Sequence, residues 1–304
     1  MPYEKLASAE NILKGNLASA WNILEGTSGD YTDLGIARRF GGAEAAYSLR
    51  DIGAMNGPVV RVRRDSGTPS EEDFSANQVA SGVLETFVGS GNNGFVSKWY
   101  DQSGNGRDAT QTTTTQQPQL VINGEIVKNS GGLPSPRFSR VSDVNTELDF
   151  TGVNANNTSV YVVNEQTRNF SNALVAKDGG NFRIRFGRQA DSSDGNKRKV
   201  ELEIKNAGGT VRLYGTTNLN TQPAYGLYLG YVNSGGTNKV GFNSVTATST
   251  LTLEDTYTWN QIFRGDNNSG STASNHMIPE IIIYSGDKLV ETEIADNIKD
   301  YYNI

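Results

Sequence analysis

The sequence has no cysteine and a single histidine, His276, among its 304 residues. Without cysteine the chain cannot form disulfides, thiolate nucleophiles or cysteine-ligated zinc and iron–sulfur sites. One histidine excludes His-rich metal sites and zincin motifs. No apolar run approaches the roughly 18 residues that a membrane-spanning helix needs. Positive charge is also scarce, since 27 Lys and Arg against 33 Asp and Glu give a net charge of −6. This balance argues against nucleic acid as a partner.

An eleven-residue repeat lies near the start of the chain, as LASAENILKGN over 6–16 and LASAWNILEGT over 17–27. A period of eleven is compatible with an α-helix. We expect one or two short amphipathic helices, which either pack on the chain's own body or dock it to a partner. Residues 1–44 are therefore expected to form an N-terminal docking segment and linker. The candidate docking residues are Leu6, Ile12, Leu13, Leu17, Trp21, Ile23 and Leu24.

From residue 45 onward, short β-like runs alternate with stretches rich in Gly, Asn, Ser and Thr. In Val200–Ile204, for example, the apolar residues all fall on one face of a strand. Many short strands separated by such turns predict an antiparallel sandwich or barrel. The expected strands are Val59–Val62, Phe95–Tyr100, Ser159–Asn164, Phe182–Phe186, Val200–Ile204, Thr210–Tyr214, Leu227–Val232, Tyr257–Phe263 and Pro279–Tyr284.

Two helices are expected within this β-rich region. Glu71–Ala80 follows a plausible N-cap at Ser70. The end of the chain carries Leu289, Ile294, Ile298 and Tyr301 at roughly helical spacing, which predicts an amphipathic helix that closes one edge of the sandwich. The run TQTTTTQQ at 110–117 is expected to be an exposed loop or a polar edge strand.

Several motifs together carry a resemblance to a known family. They are AAYSLR at 45–50, GPVVRVRR at 57–64, GFVSKWYDQSGNGRDATQ at 94–111, PEIIIY at 279–284 and the final DYY at 300–302. This set resembles the catalytic domain of family 54 α-L-arabinofuranosidases. It resembles even more closely the concanavalin A-like (LamG or jelly-roll) domains of tailed-phage virion proteins. The resemblance implies an all-β fold over residues 45–304, an antiparallel two-sheet concanavalin A-like β-sandwich with short N-terminal and C-terminal helices.

The same resemblance implies a function at the surface of a phage particle, as a tail fibre, spike or capsid decoration. The expected role is attachment or glycan adhesion by a lectin-like sandwich docked through its N-terminal segment, without enzymatic activity. Expected partners are other virion proteins, sister copies in a homo-oligomer and a host surface glycan. Met1 is not followed by a basic segment and an apolar core, so we expect no secretory leader and assembly in the host cytoplasm. A cement protein without any ligand is a further reading.

Five residues are candidates for glycan binding. A sugar site needs a flat aromatic face beside hydrogen-bonding groups, and the alternative for such rings in strands is the core. Trp99 and Tyr100 are adjacent in a strand, so they face opposite sides and at most one of them is core. The candidates are Trp99, Tyr100, Trp259, Asp101 and Asn105.

The alternative function is a glycoside hydrolase, whose retaining chemistry needs two carboxyl groups about 5–5.5 Å apart. By resemblance to the arabinofuranosidases, Asp266 in the RGDNNSG run at 264–270 matches the acid/base. Glu203, or Glu201, is the nearest candidate for the nucleophile. The alternative for Asp266 is a turn residue, and for the two glutamates it is the solvated face of a strand.

Oxygen-bearing side chains recur at alternate positions in Asp101, Ser103 and Asn105, and again at Asp108, around a glycine turn. This pattern partly mimics a calcium loop, although Thr112 stands where an EF-hand carries its bidentate Glu. The alternative is a tight turn held by hydrogen bonds from Asp and Asn to the backbone. No other cofactor is expected.

Overall fold

The computed structural model describes residues 35–54, 56–68, 70–141, 144–166, 172–177, 183–188, 199–206, 209–217, 219, 224–250, 257–265 and 274–304. Within these residues the chain forms twenty antiparallel strands and a few short helices, which confirms the all-β sandwich. The expected docking residues Leu6, Ile12, Leu13, Leu17, Trp21, Ile23 and Leu24 lie outside the described residues.

The strands fall close to their expected positions. They are β1 (Ala43–Ser48), β2 (Pro58–Arg64), β3 (Glu71–Ser75), β4 (Gly94–Trp99), β5 (Ala109–Thr110), β6 (Gln119–Ile122), β7 (Glu125–Ile126), β8 (Arg137–Val141), β9 (Val144–Asn145), β10 (Leu148–Asn154), β11 (Thr158–Gln166), β12 (Asn172–Lys177), β13 (Arg183–Arg188), β14 (Val200–Asn206), β15 (Gly209–Tyr214), β16 (Ala224–Val232), β17 (Thr237–Phe242), β18 (Val245–Thr250), β19 (Thr258–Gly265) and β20 (Ser274–Ser285).

The helices of the described part are short. They are α1 (Ile36–Arg39), α2 (Ala76–Ala80), α3 (Val83–Val88) and α4 (Thr292–Tyr302), with 3-10 turns at Thr114–Gln116 and Lys288–Val290. None of these described helices has the length and apolar character needed to cross a membrane.

Two layers of strands make the sandwich. The front sheet runs β3–β2–β4–β5–β10–β19–β12–β13–β14–β15. In the back sheet, β1 and β8 both pair with one side of β20, followed by β11–β16–β17–β18. Strand β6 pairs with β4 and with β8, so the two layers are joined along one side. Strands β7 and β9 are short partners of β6 and β8.

Both faces of the back sheet are buried. Successive residues of a strand point to opposite faces. In β20, Ile281 and Ile283 therefore enter the core between the sheets, while Ile282 and Tyr284 enter a second cluster on the outer side. This double burial explains why PEIIIY has no polar alternation, as is usual for strands covered on both faces.

The second cluster corrects the expected position of the C-terminal helix. Helix α4 does not close an edge of the sandwich but covers the outer face of the back sheet with Ile294, Ile298 and Tyr302. Tyr301, which was expected on the apolar face, is 44% exposed. The reason is helix geometry, because residues four apart share a face and Tyr302 continues the row of Ile294 and Ile298.

Only the second half of the range Glu71–Ala80, which was expected to be a helix, is helical. The first five residues of the range form β3, which pairs with β2 and buries Phe74. Helix α2 begins only after Ser75, whose hydroxyl accepts from the Gln78 amide while the Gln78 side chain accepts from the Ser75 amide. This capping box sets the start of the helix at Ser75. The sequence prediction placed the N-cap at Ser70 instead and so began the helix too early. In TQTTTTQQ, Thr110 ends β5 and most of the remainder is a loop with a 3-10 turn.

A buried charge pair ties α4 to the back sheet. Glu280 of β20 is 1% exposed and accepts hydrogen bonds from Arg50 at 2.8 and 2.9 Å, from the Ser48 hydroxyl at 2.8 Å and from the Tyr302 hydroxyl at 3.2 Å. Arg50 also donates to Asn297 of α4 at 3.0 Å. Burial lowers the pKa of Arg50, but the Glu280 carboxylate outweighs it, so the pKa lies above its ordinary value.

We expect Arg50→Ala to lower the free energy of unfolding by about 3–5 kcal/mol, because it leaves Glu280 buried without its cation. The matched control is Arg39→Ala, which removes the exposed pair with Glu293 on the same helix and should cost less than about 1 kcal/mol. Urea denaturation of both variants measures the difference. Equal losses would show that the Glu280 network does not anchor the helix.

Candidate functional site

The Asp101 carboxylate organises the turn between β4 and β5. Its Oδ1 accepts hydrogen bonds from the amides of Ala46 at 2.9 Å and Ser103 at 3.0 Å. Its Oδ2 accepts from the Ser103 hydroxyl at 2.7 Å and the Arg107 amide at 3.0 Å. Because Ala46 belongs to β1, this one side chain links a turn of the front sheet to a strand of the back sheet.

Residues next to Asp101 in the turn also form hydrogen bonds with β1 and the loop that follows it. The Gln102 side chain accepts from the Ile52 amide at 2.7 Å and donates to the Ser48 carbonyl at 2.9 Å. The Asn105 amide donates to the Ala43 carbonyl at 2.9 Å. From β1, the Tyr47 hydroxyl donates to the Arg107 carbonyl at 2.5 Å. The YDQSGNG motif is therefore a structural turn that fastens β1.

These contacts decide between the alternatives for the motif. Both oxygens of Asp101 face N–H and O–H donors, an arrangement that repels a cation rather than coordinating it. Asp108 accepts from the Asp101 amide and pairs with Lys98. Among the described residues no group of three His, Cys, Asp or Glu side chains is placed to hold a metal ion. The contacts support the tight turn over the calcium loop of Asp101, Ser103, Asn105 and Asp108.

Two of the expected glycan-stacking residues lie in the core. Trp99 and Trp259 are both 0% exposed. The Trp99 ring lies 5.8 Å from Tyr47, and the Trp259 Nε1 donates to Thr158 at 3.0 Å. Neither ring presents a face to a ligand, which corrects the expectation. Both rings are buried between the two sheets, which is where Trp residues of strands are more often found. Tyr100 points away from the core, as expected for the neighbour of Trp99.

A continuous row of residues crosses the outer face of the front sheet, and we call it the polar row. Each member is the register partner of the next on the adjacent strand, so all of them share one face. Core residues next to members of the row, such as Phe74, Trp99 and Leu202, point the other way. From β3 to β15 the row reads Asp73, Arg61, Lys98, Thr110, Asp149, Gln261, Ala176, Arg185, Glu203 and Arg212.

At one end of the polar row, Arg61 forms a bidentate pair with Asp73 at 2.6 and 2.8 Å. The Tyr100 hydroxyl donates to the same carboxylate at 2.8 Å. Hydrogen bonds from Arg61 hold the pKa of Asp73 below its ordinary value. Burial and the bond to Asp73 raise the pKa of Tyr100 to about 12. Near neutral pH, this end therefore presents fixed charges and a neutral phenol.

At the other end, Glu201 and Glu203 share the Arg212 guanidinium, at 3.8 and 2.6 Å. The two carboxylates are 6% and 3% exposed, which corrects the expectation of a solvated strand face. Pairing with Arg212 compensates their burial. Burial lowers the pKa of Arg212, but the Glu203 carboxylate outweighs this, so the pKa is raised. Asp266, the proposed acid/base partner of Glu203, lies outside the described residues.

The middle of the polar row is built from shorter side chains. Thr110, Asp149 and Ala176 lie between the long cationic side chains of the two ends. Asp149 is exposed, and Gln261 donates to it at 3.2 Å. Gln261 Oε1 is buried and has no hydrogen-bond partner within the described part of the chain. The exposed Asp149 carboxylate is an accessible hydrogen-bonding group at the centre of the row.

Comparison with known proteins finds solved structures of similar fold but no similar sequence. The sequence matches no protein-family model and no curated protein sequence. A solved GH54 α-L-arabinofuranosidase, soaked with a cyclic sulfate inhibitor, matches with a TM-score of 0.51 and 13% identity, over 87% of this chain and 65% of that chain. An arabinofuranosidase complexed with arabinofuranosyl-alpha-1,2-xylobiose gives a TM-score of 0.50 and 13% identity, over 87% and 64%.

A botulinum neurotoxin serotype D/C binding domain is a more distant structure, with a TM-score of 0.48 and 12% identity, over 65% of this chain and 49% of that chain. At 13% identity the similarity to the two arabinofuranosidase structures shows the β-sandwich fold and nothing about chemistry. This chain spans about 65% of the length of the arabinofuranosidase structure. The arabinofuranosidase-type fold expected from the sequence is therefore confirmed, while the phage part of the resemblance stays a prediction.

Sequence reasoning named Glu203 and Tyr100 but missed the row that joins them. Its members come from ten separate strands, and only the register of the sheet makes them neighbours. The sequence held a partial signal for the row, because several of its strands alternate polar and apolar residues, as in Val60-Arg61-Val62.

We expect Asp101→Asn to lower the free energy of unfolding by about 2 kcal/mol or more, because an amide group would face donors that now meet an oxygen. The control is Asp65→Asn, whose carboxylate accepts only exposed bonds from Asn93 and should cost less than about 1 kcal/mol. Urea denaturation, with and without millimolar calcium, measures both. A calcium-dependent gain in the wild type alone would contradict the structural turn.

Proposed function

We propose that this chain is a glycan-binding β-sandwich module and that the polar row is its binding surface. The observation that carries the proposal is the row itself, in which the exposed Asp149 and Arg212 and the half-buried Arg61 and Lys98 lie on one face of the front sheet. Ala176 and Glu203, which complete the register between them, are buried. Hydroxyl groups of a glycan both donate and accept hydrogen bonds, so they need a surface that offers both. The row supplies cationic donors at Arg61, Lys98 and Arg212 and an exposed carboxylate acceptor at Asp149.

The scaffold suits this use because strands hold their side chains more precisely than loops. Tyr100 lies beside the end of the row and is the one aromatic candidate that is not in the core. Its ring, close to the Lys98 ammonium at 5.0 Å, adds a flat face at the edge of the surface. Each contact is modest on its own, so useful adhesion would come from several copies acting together in a homo-oligomer.

The place of action forms part of the same proposal. The sequence resemblance favours attachment to a host surface glycan from the surface of a phage particle, with other virion proteins as partners. Mass spectrometry of separated heads and tails tests this placement. Detection in the tail fraction supports adhesion, detection in the head fraction supports decoration, and absence from both overturns the virion assignment.

Glycoside hydrolysis is the second candidate. The observation that favours it is the position of the buried Glu203 carboxylate within the polar row of an arabinofuranosidase-like fold. Against it, the Glu203 carboxylate is held by Arg212 at 2.6 Å. Release of reducing sugar from a bound polysaccharide, abolished in both Asp266→Asn and Glu203→Gln, would replace adhesion with hydrolysis.

We expect the full chain to bind oligosaccharides on a glycan array, and Asp149→Asn and Tyr100→Ala each to weaken the best ligand about 10-fold. The physical reason is the loss of a charged acceptor in the first variant and of a ring face in the second. Calorimetry with that oligosaccharide gives the dissociation constants.

The matched control is Asp296→Asn, an exposed carboxylate on α4, on the other side of the molecule. It should leave binding unchanged. Thermal melting of all three variants separates a lost contact from a lost fold. Binding that is equal in all folded variants would remove the polar row as the site, and failure to bind any glycan would remove the adhesion proposal.

A further inference from the structure

A second row of register partners starts beside the polar row and continues around the side where the two sheets join. Arg63 of β2 is the partner of Phe95 of β4. Phe95 is the partner of Gln119 of β6, and Gln119 is the partner of Arg137 of β8. All four side chains point away from the core, because their neighbours in the strands are buried in it. Those neighbours are Val62, Val96, Leu120 and Phe138.

The Arg63 guanidinium is held by neutral groups. Its Nε donates to the Gln117 side-chain oxygen at 2.7 Å, and its Nη2 donates to the Thr114 carbonyl at 3.5 Å. Its Cζ lies 4.6 Å from the centroid of the Phe95 ring, so the side chain leans over β4. Glu71, its register partner on β3, is exposed and forms no ion pair with it in the described part of the chain. The charge of Arg63 is therefore held in place without being neutralised.

Arg137, at the other end of this row, also lacks a carboxylate partner among the described residues. Its Nη2 donates to Gln119 Oε1, which directs the side chain over β6. Burial lowers the pKa of Arg137, and no neighbouring carboxylate acts to raise it. Its buried Nε meets no acceptor among the described residues, so the charge is not compensated from beneath. The side chain as a whole is only half-buried, so part of it faces solvent.

Other arginines of the described part are neutralised. Carboxylates pair with Arg39, Arg50, Arg61, Arg107 and Arg212. Strands β4 and β6 are adjacent, so Arg63 and Arg137 lean toward each other from opposite sides. Two cations without counter-ions attract anions, and a guanidinium forms strong hydrogen bonds with carboxylate or phosphate oxygens.

We propose that Arg63 and Arg137 form a binding site for an acidic polysaccharide, whose carboxylate or phosphate groups act as the missing counter-ions. The inference rests on the proposed function, because Arg63 lies two residues from Arg61 on the face already proposed to bind a glycan. A nucleic acid is the less favoured polyanion, since a chain of net charge −6 offers it no broad positive field. The site shares no residue with the polar row, so the two are tested separately.

The test is calorimetry of the full chain at low salt with two pairs of probes. Trigalacturonic acid is compared with its fully methyl-esterified form, and glucose 6-phosphate with glucose. We expect at least one acidic probe to bind about 10-fold more tightly than its neutral counterpart, because only the acid forms charged hydrogen bonds with the guanidinium groups. The acidic probe that shows this preference identifies the acid, and the preference should shrink as sodium chloride is raised.

Arg63→Gln and Arg137→Gln should each weaken the preferred acidic probe about 10-fold and leave its neutral counterpart unchanged. The matched control is Arg39→Gln, which removes the same charge from the exposed pair with Glu293 and should not change binding. Thermal melting provides an independent readout. Arg137→Gln should melt at an unchanged or higher temperature, because it removes a partly buried charge that lacks a carboxylate. Loss of the acid preference in a variant as stable as the wild type would support the site.

Three outcomes would overturn the site. They are equal binding of acidic and neutral probes to the wild type, an acid preference that survives in the double variant of Arg63→Gln and Arg137→Gln, and binding of single-stranded DNA as tight as that of the acidic probe. Asp149→Asn separates this inference from the proposed function. It should weaken the neutral ester and keep the acid preference, so failure of the polar row and failure of the arginine pair give different results.

Discussion

Four hydrogen bonds to the Asp101 carboxylate fix how the front sheet meets the back sheet. One donor belongs to β1 and the other three belong to the turn, so one carboxylate both shapes the turn and attaches it to β1. A long-range constraint of this kind is cooperative, because its buried donors are costly if a single partner is lost. The geometry of the outer face of the front sheet depends on it, since β4 and β5 flank the turn and carry the Lys98 and Thr110 positions of the polar row.

The polar row uses charges that are mostly neutralised by neighbours, such as Arg61 by Asp73 and Arg212 by Glu203. Such a surface offers many weak contacts at little cost to stability.

Periodicity in the sequence predicted the strands well where one face meets the core, as in Val200–Ile204. Periodicity could not show which aromatic residues reach the surface. Trp99 and Tyr100 are adjacent aromatic residues of one strand, and only the packing of the sheet decides which of the two faces the core. Periodicity misjudged Glu201 and Glu203, since their burial depends on Arg212 from the next strand.

Helices α1 and α4 pack into one cluster on the outer face of the back sheet, where Tyr284 donates to the Ile36 carbonyl at 2.5 Å and Arg39 pairs with Glu293. The first described residues and the C-terminus therefore leave the sandwich on the same side. The ten-strand front sheet faces the opposite way from both of these chain segments. The polar row and the two segments thus lie on opposite sides of the sandwich.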